Sequence, residues 1–524
     1  MSHMIRINGR HNATNRLDGA ASGFTVIEIL TVIIIISILA ILAIVSYNVI
    51  VDRARETSVV SDATQGASLV KAQQYSNGTY PTNCASTGIK ASSGNTLNCA
   101  VASDARSFCV NVSYQDKFSY YATNNILNPV KGVCSGSTGV AEAQVASMMG
   151  VGIGHACGLF GGRPYCWGGN WAGQLGNGTT VNSNTPVAVD TSGVLAGKTI
   201  TDLTVGDYFS CVIANGAPYC WGWNSYGQLG NGLTTNSSVP VAVNMSGALA
   251  GKTVTKITGG YYNACAIADG AAYCWGTSGF DGLGSNTQYS YTPKAVDTSG
   301  VLAGKTVTDI DAENFGGVVC AVADGAPYCW GYGASGGMGN GTNTTSNWLP
   351  VAVDTSGVLA GKTVTDVSTY EYHACAVADG KPYCWGGNGS SQLGNGSTTS
   401  SNVPVAVDAS GVLAGKTIVS VTAGDYATCS LDSQGAVFCW GDNMYGSLGN
   451  NTYTDSTVPV AVSTSGTMSG KTHSYLAMGY FTVCSVASGW GHCWGNSTYG
   501  PGELGVGPTP TSSSLPLPLA GLPN

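Results

Sequence analysis

Four rhythms of hydrophobic and polar positions succeed one another along the chain. The first is an apolar run: only Thr31 and Ser37 interrupt the seventeen residues 29–45, which as a helix extend about 25 Å. With its flanks, the stretch 24–50 predicts a membrane-crossing helix. The second rhythm has apolar Val51, Ala54, Val59, Ala63, Leu69, Val70 and Ala72 spaced among charged and small polar residues. That spacing predicts an amphipathic continuation of the helix, ended by the turn residues N-G-T-Y-P at 77–81. In the third, residues 108–113, 118–123 and 130–134 are rich in aromatic and β-branched side chains and predict short strands. A Gly/Ser-rich stretch, 135–143, then reads as a linker.

The fourth rhythm fills the rest of the chain. Cys157, Cys211, Cys265, Cys320, Cys375, Cys429 and Cys484 recur every 54 or 55 residues, the mark of a repeat architecture. Each is followed by a second cysteine and Trp-Gly, at Cys166, Cys220, Cys274, Cys329, Cys384, Cys439 and Cys493. Six pairs enclose eight residues with Gly161-Gly162, Asn215-Gly216, Asp269-Gly270, Asp324-Gly325, Asp379-Gly380 or Ser488-Gly489 at the centre. These are two-residue hairpin turns. The seventh pair, Cys429 and Cys439, encloses nine residues and centres on Ser433-Gln434-Gly435, which predicts a three-residue loop. The members of each pair therefore face one another across a hairpin, where a disulfide would close a small loop worth about 2–3 kcal/mol.

The residues around the apolar run carry a resemblance of their own. Arg6, Arg10 and Arg16 precede it, and the junction Gly23-Phe24 opens G-F-T-V-I-E with Glu28 as the single carboxylate of the run. This resembles the type IV pilin family and the related pseudopilins. The resemblance implies cleavage of residues 1–23 by a prepilin peptidase between Gly23 and Phe24, and N-methylation of Phe24. It also implies an assembly role for Glu28, because a carboxylate in an apolar zone seeks a partner, here the α-amino group of Phe24 on a neighbouring subunit. Residues 24–134 would form the pilin domain, a long helix with a small antiparallel sheet. Cys84, Cys99, Cys109 and Cys134 fall there. Pairing Cys84 with Cys99 and Cys109 with Cys134 is the expected choice among three connectivities.

After each C-W-G come a Leu-Gly, as in Gln174-Leu175-Gly176, a P-V-A-V segment and, in six units, L-A-G-K-T or a close variant. Together these resemble the RCC1-like repeats, which form seven-bladed β-propellers, so residues 144–524 are expected to be one. The array opens on a hairpin with no P-V-A-V before it, and its last such segment is P-L-P-L at 516–519. The first blade is thus expected to borrow its missing strand from the far end, removing the exposed edges of an open array. The fold class expected for the whole chain is multidomain, an α+β pilin-like part followed by an all-β propeller.

Composition adds compartment and partners. The eighteen cysteines all follow the apolar run, an even count that suits disulfides in an oxidising compartment. No C-x-x-C pair suggests a metal, and no cofactor is implied. The net charge is −8, and without residues 1–23 the balance is more acidic still, which disfavours nucleic acid as a partner.

No constellation for catalysis stands out. His155 and His373 occupy one repeat position, and Asp190, Asp297, Asp354 and Asp408 another, which reads as structural. Trp171, Trp223, Trp348 and Trp490 lie off the repeat position. With Tyr226, Tyr289, Tyr291, Tyr332 and Tyr445 they are candidates for contact with a protein or glycan. The function expected from this reading is a type IV pilus subunit, not an enzyme. It would pass from the cytoplasmic membrane into an extracellular filament with other pilin subunits and display its propeller for adhesion. The alternative is a pseudopilin-like component of a secretion or DNA-uptake machine whose propeller recruits a protein.

Overall fold

The computed structural model describes residues 146–522 apart from 278–282, 286, 288, 313–317, 345 and 498–501, together with four strands between residues 95 and 131. The chain divides into two units between Gly139 and Val140. In the first, strands Asn95–Val101, Phe108–Tyr114, Phe118–Thr123 and Val130–Lys131 form an antiparallel sheet in chain order.

The second unit is a ring of seven four-stranded antiparallel sheets, each in chain order. Blades 1 to 7 span residues 146–188, 200–242, 254–295, 307–352, 364–406, 418–461 and 473–518. Their first strands gather around a central channel: Ala146–Val151, Ile200–Val205, Val254–Gly259, Val307–Ala312, Val364–Tyr370, Ile418–Ala423 and His473–Met478. Each first strand packs against the first strands of its two neighbours. The second strand of every blade is buried along its whole length, because sheets on both sides cover it.

The hairpins explain the cysteine spacing. In six blades both central turn residues have positive φ, for example Asn215 at 51° and Gly216 at 74°, the geometry of a type I′ turn. In the remaining one, blade 6, Gly435 at 81° absorbs the extra residue. Cysteine then faces cysteine, as in Cys157 opposite Cys166 and Cys429 opposite Cys439, and all seven pairs are bonded with Cα atoms 4.0–4.1 Å apart.

The C-W-G tryptophan joins neighbouring blades. All seven are fully buried, and the indole N–H of Trp221 donates to the Gln174 carbonyl of the preceding blade at 2.9 Å. Trp275, Trp385, Trp440 and Trp494 repeat the bond at 2.8–2.9 Å. The Leu-Gly that follows the acceptor is part of the same device. At Gly176, φ is +66° and a Cβ would lie 2.6 Å from the Trp221 indole nitrogen, so only glycine lets the ring dock.

Two expectations are corrected here. The first blade borrows no strand. Its inner strand is Ala146–Val151, and the strand Ser512–Pro518 stays in blade 7, paired with Trp490–Asn496. The ring closes instead by lateral packing of blade 7 on blade 1. The Trp167 indole donates to the Glu503 carbonyl at 2.7 Å, and the Ala146 amide to the Gly489 carbonyl at 2.8 Å. The inner strand A-S-M-M-G-V is weakly marked in the sequence, with Val151 as its single β-branched residue and no turn residues directly ahead of it to announce it.

The α+β fold class is corrected as well: the described residues are all-β, with only one-turn 3-10 segments at Ala334–Gly336 and Gly466–Met468. What the described chain supplies is period-two alternation, which builds sheets. No helix among the described residues is long and apolar enough to cross a membrane. The expected helix at 24–50, the junction Gly23-Phe24, Glu28, Cys84 and Cys134 lie outside the described residues. Cys99 and Cys109 fall in described strands, and their expected pairings lie outside as well.

Candidate functional site: the channel and the upper face

Position 5 of every inner strand, and position 3 in all blades but 1 and 4, line the channel, a cavity of about 410 Å³. Position 3 carries Met148, Asp202, Lys256, Asp309, Asp366, Ser420 and Tyr475 around the ring. The carboxylates tie each blade to the next. Asp202 accepts the Ile257 amide at 2.9 Å, Asp309 the Val367 amide at 2.9 Å, and Asp366 the Val421 amide at 2.8 Å. At position 5, Asp311 accepts the Thr369 amide at 2.9 Å and the hydroxyls of Thr258 and Ser368. Lys256 forms an ion pair with Asp309. Burial raises Asp202 to about 6 and Asp366 to about 7, the latter also through repulsion from Asp309. Burial works against the charge of Lys256, but Asp309 together with Asp311 and Asp366 more than offsets it and its pKa rises. These groups are held by backbone, and the channel reads as an interlocked wall.

Because neighbouring strands are antiparallel, the connections between strands 1 and 2 and between strands 3 and 4 emerge at one end of the ring, here called the upper face. The hairpin turns and the L-A-G-K-T turns emerge at the lower face. The two aromatic arcs of the upper face come from a repeat offset. Three residues before the first cysteine stand Tyr208, Tyr262, Tyr372, Tyr426 and Phe481. Four before it stand Asp207, Tyr261, Glu371, Asp425 and Tyr480.

One arc covers blades 1 to 3. Trp171 lies 5.9 Å from Trp223 and 5.2 Å from Tyr208, Trp223 lies 5.4 Å from Tyr226, and Tyr261 and Tyr262 complete the chain of rings. Trp171 is 55% exposed and Tyr226 41%. The second arc covers blades 5 to 7, with Tyr372, Tyr426, Phe481 and Tyr445 in successive ring contacts of 4.6–6.1 Å.

Of the four candidate tryptophans, the structure therefore brings together Trp171 and Trp223. Trp348 lies on the outer strand of blade 4, and Trp490 sits at the lower face beneath Lys471. Tyr289 and Tyr291 stack on the outer strand of blade 3. The rings contributed by the fixed offset were missed because each looks like one more repeat position; their shared distance from the first cysteine was the available signal.

The histidines and the recurrent aspartates are structural. His155 and His373 are buried, and their Nε2 atoms bond Ser210 and Thr428 of the next blade at 2.9 and 2.7 Å. Those hydroxyls donate onward to the Gln174 and Gln392 carbonyls. Burial lowers both histidines to about 3, so they are neutral bridges. Asp190, Asp297, Asp354 and Asp408 each accept the amide of the serine two residues on, at 2.7–2.8 Å, as turn residues do.

Residues 161–213, 215–267, 379–431 and 434–494 match the regulator of chromosome condensation (RCC1) repeat, with 418–447 matching a second form of it. The chain is 28% identical over 385 residues to the ultraviolet-B receptor UVR8 of Arabidopsis thaliana, covering 70% of this chain and 80% of that one. It is 29% identical over 357 residues to the human E3 ubiquitin-protein ligase HERC2, covering 66% of this chain but only 7% of HERC2. Among solved structures it resembles yeast RCC1 (Prp20) bound to Kap60, with a TM-score of 0.56 and 19% identity over 72% of this chain and 85% of that one.

Proposed function

We propose a recognition role for this chain: it carries RCC1 repeats folded into a seven-bladed propeller, and that similarity corrects the expectation of function. The relatives are RCC1-like proteins and not pilus or pseudopilin components, so neither the pilus-subunit nor the secretion-machine reading is kept. What the similarity follows is the blade signature of cysteine pair, Trp-Gly and Leu-Gly, which answers a packing requirement and carries no instruction for filament assembly. The expected partners, pilin subunits and a prepilin peptidase, give way to a protein partner, as yeast RCC1 has in its complex with Kap60. The expected passage from membrane to extracellular filament is corrected with them, since the named relatives are human, plant and yeast proteins.

We propose that the propeller is a regulatory recognition module that works by binding a protein partner and not by catalysis. The observation that carries this reading is the upper face, where Trp171, Trp223 and Tyr226 stand partly exposed in contact with one another. Clustered aromatic rings are the commonest anchors of protein interfaces. The ligase activity of HERC2 belongs to a protein of which this chain spans a small part.

A photo-crosslinking residue at Tyr226 in the full chain tests the proposal against the same residue at Gly193 on the lower face. A saturable protein adduct is expected from the upper position alone, competed by excess wild-type chain and not by the Trp171→Ala/Trp223→Ala variant. Equal labelling from both faces would refute it.

A further inference from the structure

Charge divides the two faces. After residue 145 the chain holds ten lysines and arginines. Lys256 lines the channel, Lys294 lies on the outer strand of blade 3, and the other eight flank the turns of the lower face. Among the described residues the upper connections carry no basic side chain, whereas they carry Asp207, Glu371, Asp425, Asp442, Asp455 and Glu503.

Three of these converge at the upper mouth of the channel. Asp207 of blade 2 and Glu371 of blade 5 lie on opposite sides of the ring, yet each feels the other's charge, and Glu371 also repels Asp425. Both carboxylates must therefore point towards the axis. Asp207 and Asp425 are fully buried, and neither oxygen of either has a hydrogen bond of good geometry. The Ile153 amide lies by Asp207, and Asp425 lies against the Glu371 carboxyl and the Tyr426 and Tyr480 hydroxyls, in geometry that leaves these oxygens unsatisfied. Glu503 differs: it accepts the Gly154 amide and belongs to the seam. The channel aspartates show that this fold readily supplies amide partners to a buried carboxylate, so two left without them are costly exceptions. Around them stand Tyr208, Tyr262, Tyr372 and Tyr426, half-buried, with Glu371 as the more accessible acid.

We infer that this mouth receives a cationic side chain, an arginine or lysine of an extended basic peptide on the partner protein, placed between the carboxylates and the tyrosine rings. The inference rests on the recognition role proposed above and names its chemistry. A guanidinium or ammonium group lets the buried acids, held protonated by burial, ionise and pair with it, and the ring faces attract it in addition. The absence of basic residues from the upper face removes internal competitors and repels no basic guest.

Fluorescence anisotropy with the full chain and three labelled peptides of equal length tests this: one with spaced arginines, one with the arginines replaced by glutamines, one by glutamates. The arginine peptide alone is expected to bind, more weakly as salt rises. The Asp207→Asn/Asp425→Asn variant should lose at least tenfold in affinity while its melting temperature rises, because two buried acids that folding holds protonated, at a cost to stability near neutral pH, are gone. Tyr208→Leu/Tyr426→Leu should also lose affinity, and Asp354→Asn on the lower face should not. A gain in stability with lost binding separates a binding role from a structural one. Arginine-peptide binding unchanged in the double asparagine variant, or equal binding of the glutamine peptide, would overturn the inference. So would no binding at all. If in any of these cases the crosslink from Tyr226 persists, the recognition role stands and only its cationic guest falls.

Discussion

Trp221 and Trp223 stand two residues apart in one repeat and belong to different regions of the molecule. Trp221 is fully buried between blades 1 and 2, its N–H fixed on Gln174. Trp223 is partly exposed on the upper face among Trp171, Tyr226, Tyr261 and Tyr262. The first position is tryptophan in all seven units, because one indole fills every seam between blades. The second position is Gly169, Trp223, Thr277, Tyr332, Gly387, Asp442 and Asn496. The interior repeats because each blade poses the same packing problem, and the upper face varies because nothing in the packing constrains it.

The largest expected contrast follows from this pair. Trp221→Ala should destabilise by about 3–5 kcal/mol, the usual cost of deleting a buried aromatic side chain. Trp223→Ala should cost about 1 kcal/mol or less, as surface changes do. Urea unfolding of both variants measures the difference, and similar losses would dissolve the distinction between seam and face.

Two glycines sharpen it. Gly176 and Gly197 have nearly equal φ, +66° and +69°, but a Cβ meets the Trp221 indole at the first and nothing within 4 Å at the second. Gly197→Ala should cost about 1 kcal/mol from the left-handed backbone alone. Gly176→Ala should cost more than that, and the excess reports the docked indole.

The smallest effect concerns the channel acids. The pKa of Asp366 rises from about 3.8 to about 7 on folding, so the folded state holds its proton more tightly than the unfolded chain. The resulting penalty is absent below the unfolded pKa, grows with pH and is complete above 7. Asp366→Asn should therefore raise the melting temperature at pH 8 and leave it unchanged near pH 3. The asparagine oxygen can still accept the Val421 amide, which keeps the interlock. His155 and His373 act in the opposite sense: lowered to about 3, they contribute stability fully above pH 6.5 and lose it as pH falls towards 3.

Much of the ring was legible in the sequence because its determinants are local. Turn residues fixed the hairpins, the hairpins fixed the cysteine register, and Trp-Gly with Leu-Gly marked each seam. The closure was not, because the weakly patterned strand Ala146–Val151 is recognised only by its place beside the other six. The wall of the channel was equally hidden: Asp202, Asp309 and Asp366 reach amides some 55–58 residues away, a separation that has no signature in a single repeat. Of the candidate site, Trp171 and Trp223 could be found as exceptions to the repeat, whereas Tyr208, Tyr262 and Tyr426 were camouflaged by obeying it.

The self-contained blades have a mechanical consequence. Since no strand crosses from blade 7 to blade 1, the closing seam is held by side-chain packing and a few hydrogen bonds, with no β-ladder across it. Seven cross-linked hairpins resist extension within the blades. Tension applied across residues 146 and 518 would thus part the ring at that seam first, turning a closed disc into an open arc of intact blades.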